Sequence, residues 1–400
     1  MKYQSLNESI DAVLPDIIAL RRDLHQHPEL AYEEYRTAGK VVEAISGIEG
    51  LDIKTGLAGS GVAVTLGKQL EGPCVALRAD MDALPIEEAS GVEWTSRTQG
   101  KMHACGHDGH TAMLVGAIQV LAGLRDELKG PVKFIFQPAE EGGAGAAKMC
   151  REGVLEDPKV DAIFGLHNNL PDPHLKSGRI AYNSGALMAG TGTFDIEVIG
   201  VGGHAAFPEN CVDPLYIGAC IVDQLQGIVS RGMDPRTPAV VSVTRFHAGT
   251  AYNIIAGQSY LHGTFRALDM GILEDLRDRI IQVANRVAEA HGAKVKIRCD
   301  VGYPVLINHP EAEKVFMAIV EETGEQERLL EVNPILGGED FAFFGEQVPS
   351  FFYFLPACPE DVETVPACHH PAFDFNDDLI PLGIRLHVEM ARRFARLWKP

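Results

Sequence analysis

Three apolar runs in this chain each stop on a cluster of ionisable side chains, and that repeated placement limits what the chain can fold into. Cys74-Val-Ala-Leu77 runs into Arg78-Ala-Asp80-Met-Asp82, Pro131-Val-Lys-Phe-Ile-Phe136 into Gln137-Pro-Ala-Glu140-Glu141, and Val160-Asp-Ala-Ile-Phe-Gly-Leu166 into His167. Short apolar runs of this kind read as strands buried on both faces, which occur in parallel sheets covered by helices. In open α/β sheets, functional groups gather beyond the carboxyl ends of neighbouring strands. The ionisable clusters are therefore expected to meet.

The side chains that would meet have a definite chemistry. His103-Ala-Cys-Gly-His-Asp-Gly-His110 packs three histidines and a cysteine into one short stretch, with small residues that let the backbone wrap tightly. Cys105 and His107 are followed by the doublet Glu140-Glu141, then by His167 and His369. One thiolate, three imidazoles and two carboxylates form the inventory of a bound metal pair with a general base. Taken singly each residue has a plainer reading, since a cysteine in an apolar chain is more often a small buried hydrophobe than a ligand.

A chain of 400 residues that is 46% hydrophobic can bury a sizeable core and is expected to form two domains. With 35 basic against 55 acidic residues and a net charge of −20, it lacks the basic face that nucleic-acid binding requires. The polar start, Met1-Lys-Tyr-Gln-Ser, has no apolar leader and no spanning stretch follows, so a cytoplasmic protein with no membrane partner is expected. Eight cysteines without tandem spacing suit free thiols.

Leu6 to His27 reads as an amphipathic helix, and strands and helices are expected to alternate from there to about Tyr182. Beyond Ala186 the pattern changes to β-α-β-β-α-β: strands at Thr193–Ile199, Pro238–Phe246, Ser259–Arg266 and Ala293–Cys299, with helices at Asp213–Ser230 and Ile272–Glu289. The expected fold is α/β: a mostly parallel-sheet, zinc-peptidase-like catalytic domain, residues 1–185 and 303–400, interrupted by a ferredoxin-like lid or dimerisation domain at 186–302.

These motifs carry a resemblance. Arg21-Arg-Asp-Leu-His-Gln-His-Pro-Glu29, Arg78-Ala-Asp-Met-Asp-Ala-Leu-Pro85, His103 to Asp108, Phe136 to Glu141, Gly165-Leu-His167, Gly202-Gly-His-Ala-Ala206, Gly263-Thr-Phe-Arg266, Gly337-Gly-Glu-Asp-Phe341 and His369 to Phe375 stand in family order along nearly the whole chain. The chain resembles the aminoacylase and hippurate hydrolase family of dinuclear metal amidohydrolases, which also contains plant auxin-conjugate hydrolases. The resemblance implies that Cys105, His107, Glu141, His167 and His369 hold two divalent ions (zinc, manganese, nickel or cobalt) and that Glu140 is the general base. His369 and His370 compete for the last place, and the family pattern favours His369. Asp80 would orient a ligand, while Arg78 stands where related peptidases have a ligand histidine.

The resemblance also implies that His204 reaches the active site of the other subunit of a homodimer to stabilise the oxyanion, and that Asn253 and Arg266 bind the substrate carboxylate. Locally, His204 reads equally as a surface-turn histidine, Arg266 as a structural ion-pair partner, and Ala256 stands where the family often has proline. The implied activity is amide hydrolysis of N-acyl amino acids, hippurate-like or N-acetylated. A metallo-dipeptidase or carboxypeptidase uses the same water attack, and a silent binding protein would have lost the base or a ligand. His25 and His27 read as capping or structural groups, and Glu339 and Asp340 as support for the site.

Overall fold

A computed structural model describes residues 5–169 and 172–399, so Met1–Gln4 of the polar N-terminus lies outside the described residues. The chain divides into two compact units, one made of Met1–Gly185, Ile307–Asn333 and Asp340–Pro400, the other of Ala186–Leu306 and Pro334–Glu339. The short segment 334–339 groups with the second unit, although its position in the chain had placed it with the late part of the first.

The apolar runs form strands at the centre of the first unit. Its eight-stranded sheet has the order Leu51–Leu57, Gly61–Leu66, Val132–Gln137, Cys74–Asp80, Val160–Asn168, Ser350–Leu355, Ile180–Tyr182, Leu329–Glu331. The four middle strands from Val132–Gln137 to Ser350–Leu355 run parallel. The strict alternation expected in the first third fails: Leu51–Leu57 and Gly61–Leu66 form an antiparallel hairpin, and the second of these pairs antiparallel with Val132–Gln137. The reason is local. Leu57-Ala-Gly-Ser-Gly61 carries a tight turn, too short for a crossover helix.

The helix His107–Gly123 is buried around nearly its whole circumference, as an apolar helix between a sheet and other helices must be. It packs on the strand Cys74–Asp80 and against Leu6–Gln26 and Ile380–Leu397. Close approach needs missing side chains: a Cβ at Gly116 would fall 2.5 Å from Ile384. The first turn of this helix thereby stays beside the ends of the parallel strands.

In the second unit, four antiparallel strands stand in the order Ala239–Ala248, Gln258–Ala267, Gly190–Ile199, Lys294–Val301. Gly190–Ile199 alternates buried Phe194, Ile196 and Val198 with outward Thr193, Asp195 and Glu197. The buried row meets Ile217, Ile221 and Leu225 of the helix Pro214–Gly232 and Leu273, Leu276 and Ile280 of Met270–Ala290. Asp213 and Asp269 cap these helices by accepting from first-turn N–H groups. No helix among the described residues is long and apolar enough to cross a membrane.

Candidate metal centre

At the carboxyl ends of the parallel strands, Cys105, His107 and His167 point donor atoms at one another, as do Cys105, Glu141 and His369, all within 4.8 Å in each trio. The two trios share Cys105. His107 is also grouped with Glu140 and Glu141 on the same measure.

Each donor is aimed by a partner on its far side. His107 Nδ1 donates to the carbonyl of Asp82 at 2.9 Å, which leaves Nε2 buried without a hydrogen-bond partner. His167 Nδ1 donates to the carbonyl of Asn168 at 2.6 Å, so its Nε2 lone pair faces Cys105 Sγ at 3.3 Å. Fixing one ring nitrogen in this way selects the tautomer that offers the other to a metal. Glu141 Oε1 is buried without a hydrogen bond of good geometry, though it lies 3.1 Å from His369 Nε2. Orphaned buried donors on this set are what a metal pair would satisfy.

The backbone is bent to suit. Gly106 precedes the helix at φ +92, and a Cβ there would lie 2.2 Å from Asn168 Oδ1. His369 sits at φ +67, with its N–H donating to the Ala104 carbonyl at 2.7 Å. A histidine in the left-handed region is uncommon and is held here by that cross-tie. His370 instead accepts from Ala372 N–H at 3.0 Å and belongs to none of the donor groups among the described residues.

Asp82, to which the sequence reading gave no role, positions the carboxylate doublet. Its Oδ1 accepts from Glu140 N–H at 3.0 Å and its Oδ2 from Glu141 N–H at 2.9 Å. The signal was the charged cluster Arg78-Ala-Asp80-Met-Asp82 on which the apolar run stops. Asp80 accepts from Arg78 at 2.7 Å and contacts His110 Nδ1 at 2.6 Å and His107 Nε2 at 3.6 Å. Arg78 is fully buried and also donates to Gln137 and to Asp340. Asp340 receives Gln137 at 2.7 Å and Ala146 N–H at 3.0 Å. His110 has both ring nitrogens engaged, by Asp80 and by Asn168.

Charge follows this geometry. Burial pulls the His107 imidazole down, but Asp80 and Asp82 outweigh it and hold it up at about 10. The negative field that gives a histidine so high a proton affinity also attracts a dication. Burial drives His167 well below its ordinary value, so it is a neutral lone-pair donor. Behind the helix start, His25 bridges Asp108 at 2.9 Å and Glu88 at 3.2 Å, and Arg21 closes the group through Asp108, Asp374 and Asp377. Burial opposes the charge on His25, yet Asp108 and Glu88 raise it to about 9. His27 closes the C-terminus of the helix Leu6–Gln26, which carries His25.

His204, Asn253 and Arg266 belong to the second unit. His204 and Ile254 are cross-strand partners in a short ribbon, and the Asn253 carbonyl accepts from Ala205 N–H at 3.0 Å, so these two are neighbours. Arg266 lies on the strand Gln258–Ala267, half-buried, and no carboxylate is among the groups acting on its charge. Burial pulls its pKa down, opposed by Tyr303. The structural ion-pair reading of Arg266 therefore has no partner here.

A family profile described as peptidase family M20/M25/M40 matches residues 76–393. An IAA-amino acid hydrolase of Arabidopsis thaliana is 38% identical over 386 residues, spanning 95% of this chain and 85% of its own. A thermostable carboxypeptidase of Saccharolobus solfataricus is 36% identical over 397 residues, 98% of either chain. The solved structure of the Bacillus subtilis YXEP protein, described as a dinuclear metal binding peptidase, matches with a TM-score of 0.81 at 33% identity over 96% of this chain and 99% of that one.

Replacing Gly106 by alanine should displace Asn168 and, with it, the start of the ligand helix. The expected outcome is metal loss, read as metal per chain by elemental analysis after gel filtration, in protein whose far-ultraviolet circular dichroism is unchanged. A second expectation concerns pH. His25 is raised from 6.5 to about 9 on folding, so its contribution to stability is complete below the lower value and lost as pH climbs through the upper one. The urea midpoint should fall across that window in the parent and fall less in His25→Gln; equal slopes would remove the assignment.

Proposed function

The chain belongs to peptidase family M20/M25/M40 and is a metal-dependent amidohydrolase, and from that premise we propose that it cleaves the amide bond of N-acyl amino acids, hippurate-like or N-acetylated, to a carboxylate and a free amino acid. The observation that carries the reading is the meeting of Cys105, His107, Glu141, His167 and His369 around orphaned donor atoms, with Glu140 in reach of the same group. Those five residues would hold two divalent ions. Their mixed thiolate, imidazole and carboxylate set suits zinc, nickel, cobalt or manganese.

A bound metal pair supplies an acidified water and polarises the substrate carbonyl. Glu140 takes the proton of the attacking water and returns it to the departing amine. Its backbone is held by Asp82, so its carboxylate can move a proton without serving as an anchor for the turn. Glu141, one residue on, is the ligand. Arg266 offers a planar pair of donors on whose charge only burial and Tyr303 act, which suits a substrate carboxylate, with Asn253 as companion. Both the Arabidopsis relative, named for amino-acid conjugates, and the carboxypeptidase act next to a terminal amino acid by name, so a free carboxylate beside the scissile amide is common to the two readings. The carboxypeptidase likeness keeps peptide substrates as the second reading.

We read the second unit as a dimerisation and lid element in which the exposed His204 serves the partner subunit's site by stabilising the oxyanion. Val201, Phe207, Tyr252 and Ile254, exposed around the His204 ribbon, form the kind of apolar surface that a second copy would cover. Light scattering that returns a monomer would remove this part of the reading.

The direct test is amine release from hippurate, N-acetyl amino acids, indole-acetyl amino acids and unblocked dipeptides, with each metal added to stripped protein. Cleavage of the blocked compounds is expected. Glu140→Gln should keep its metal and lose about two to four orders of magnitude in rate, the usual worth of a positioned base. Preference for unblocked dipeptides would move the enzyme to the peptidases.

A further inference from the structure

Cys105 has a second thiol beside it. Cys368, the residue before His369, has its Sγ 3.9 Å from the Cys105 carbonyl oxygen, and the two thiols act on one another electrostatically. The bond from His369 N–H to the Ala104 carbonyl ties the same two segments together through the backbone. Cys105 is buried at 8% exposure while Cys368 is only partly buried. A dithiol has therefore been assembled on the shared corner of the two donor trios.

We propose that Cys105 and Cys368 close into a disulfide when a peroxide meets the metal-free protein, and that the bond keeps metal out until a thiol reduces it. The proposal rests on the reading of Cys105 as a metal ligand. Sγ of Cys368, the less buried of the two residues, attacks one oxygen of hydrogen peroxide; the O–O bond breaks, water leaves with the thiol proton, and a sulfenic acid remains. Cys105 Sγ then attacks that sulfur, the S–O bond breaks, and the hydroxyl leaves as a second water with the Cys105 proton. Two thiols lose two electrons and one peroxide gains them.

The two sulfurs must close to about 2.05 Å. Cys368 belongs to a surface turn in which His370 N–H bonds back to the Ala367 carbonyl, and both histidines of that turn are exposed. With metal present the lone pair of Cys105 is engaged, so the second attack is blocked and oxidation stops at Cys368. In its absence the disulfide shields Cys105 from further oxidation to sulfinic acid, which thiols do not reverse.

The test treats full-length protein, stripped of metal or loaded with zinc, with one equivalent of hydrogen peroxide, followed by alkylation and peptide mapping. In stripped protein the peptides containing Cys105 and Cys368 should appear joined, with loss of two alkylatable thiols, and dithiothreitol should restore both the thiols and zinc uptake. In loaded protein the joined peptide should be absent. Cys368→Ser should still take up zinc, but after peroxide it should lose that capacity irreversibly. Absence of the joined peptide in stripped protein overturns the proposal while leaving the ligand reading intact. Joining at the same rate in loaded protein overturns both, because it means that zinc does not engage Cys105.

Discussion

The grip of one buried carboxylate on two successive peptide N–H groups is the constraint on which the site depends. Asp82 receives Glu140 and Glu141 through its side chain and His107 through its carbonyl. Three of the groups that converge on the centre are thus registered against one residue at the end of one strand. A buried donor left unpaired costs about 1–3 kcal/mol, so these bonds are mandatory as well as aligning. They also divide the doublet: with both backbones held, the two carboxylates depart from adjacent Cα atoms toward different neighbours, Glu141 toward His369 and Glu140 toward the Asp340 N–H at 3.3 Å.

Around that grip, imidazoles in similar burial are driven in opposite directions. His107 is held protonatable by two aspartates, whereas His167 is driven neutral by burial and by the neighbouring imidazoles of His110 and His107. A dication held by this group would displace a proton at the first and meet a ready lone pair at the second, which would couple metal affinity to pH through His107. Arg78 offsets part of the carboxylate charge through Asp80 and Asp340, and its complete burial makes that compensation strong. The arginine thus stabilises the surrounding carboxylates.

The lesson about legibility differs between residues. The strands were readable because apolar runs ending on charged clusters leave few alternatives, and Cys74–Asp80, Val132–Gln137 and Val160–Asn168 formed where those runs lie. The hairpin of Leu51–Leu57 with Gly61–Leu66 was not, because a crossover and a tight turn differ by a few residues between similar apolar runs. Segment 334–339 could not be allotted from order along the chain, since it returns to the second unit through backbone bonds to Leu187 and Ala189. Asp82, Asn168 and Cys368 were missed or left without a role for a shared reason. Their importance lies in what they touch, and neither a carboxylate, an amide nor a thiol announces its partner in sequence.

The sequence by itself determined the sheet's apolar strands, the α/β class, the chemistry of the donor set and its position at strand ends, because periodicity and side-chain type act locally. Tertiary structure alone decided which atoms meet: that His369 Nε2 faces Glu141 Oε1, that His110 is used up by Asp80 and Asn168, and that Cys105 stands in both trios. Those outcomes depend on a left-handed histidine, a glycine with no room for a Cβ and a carboxylate spanning two peptides. Each arises from contacts between segments tens to hundreds of residues apart, and such contacts exist only once the chain has packed.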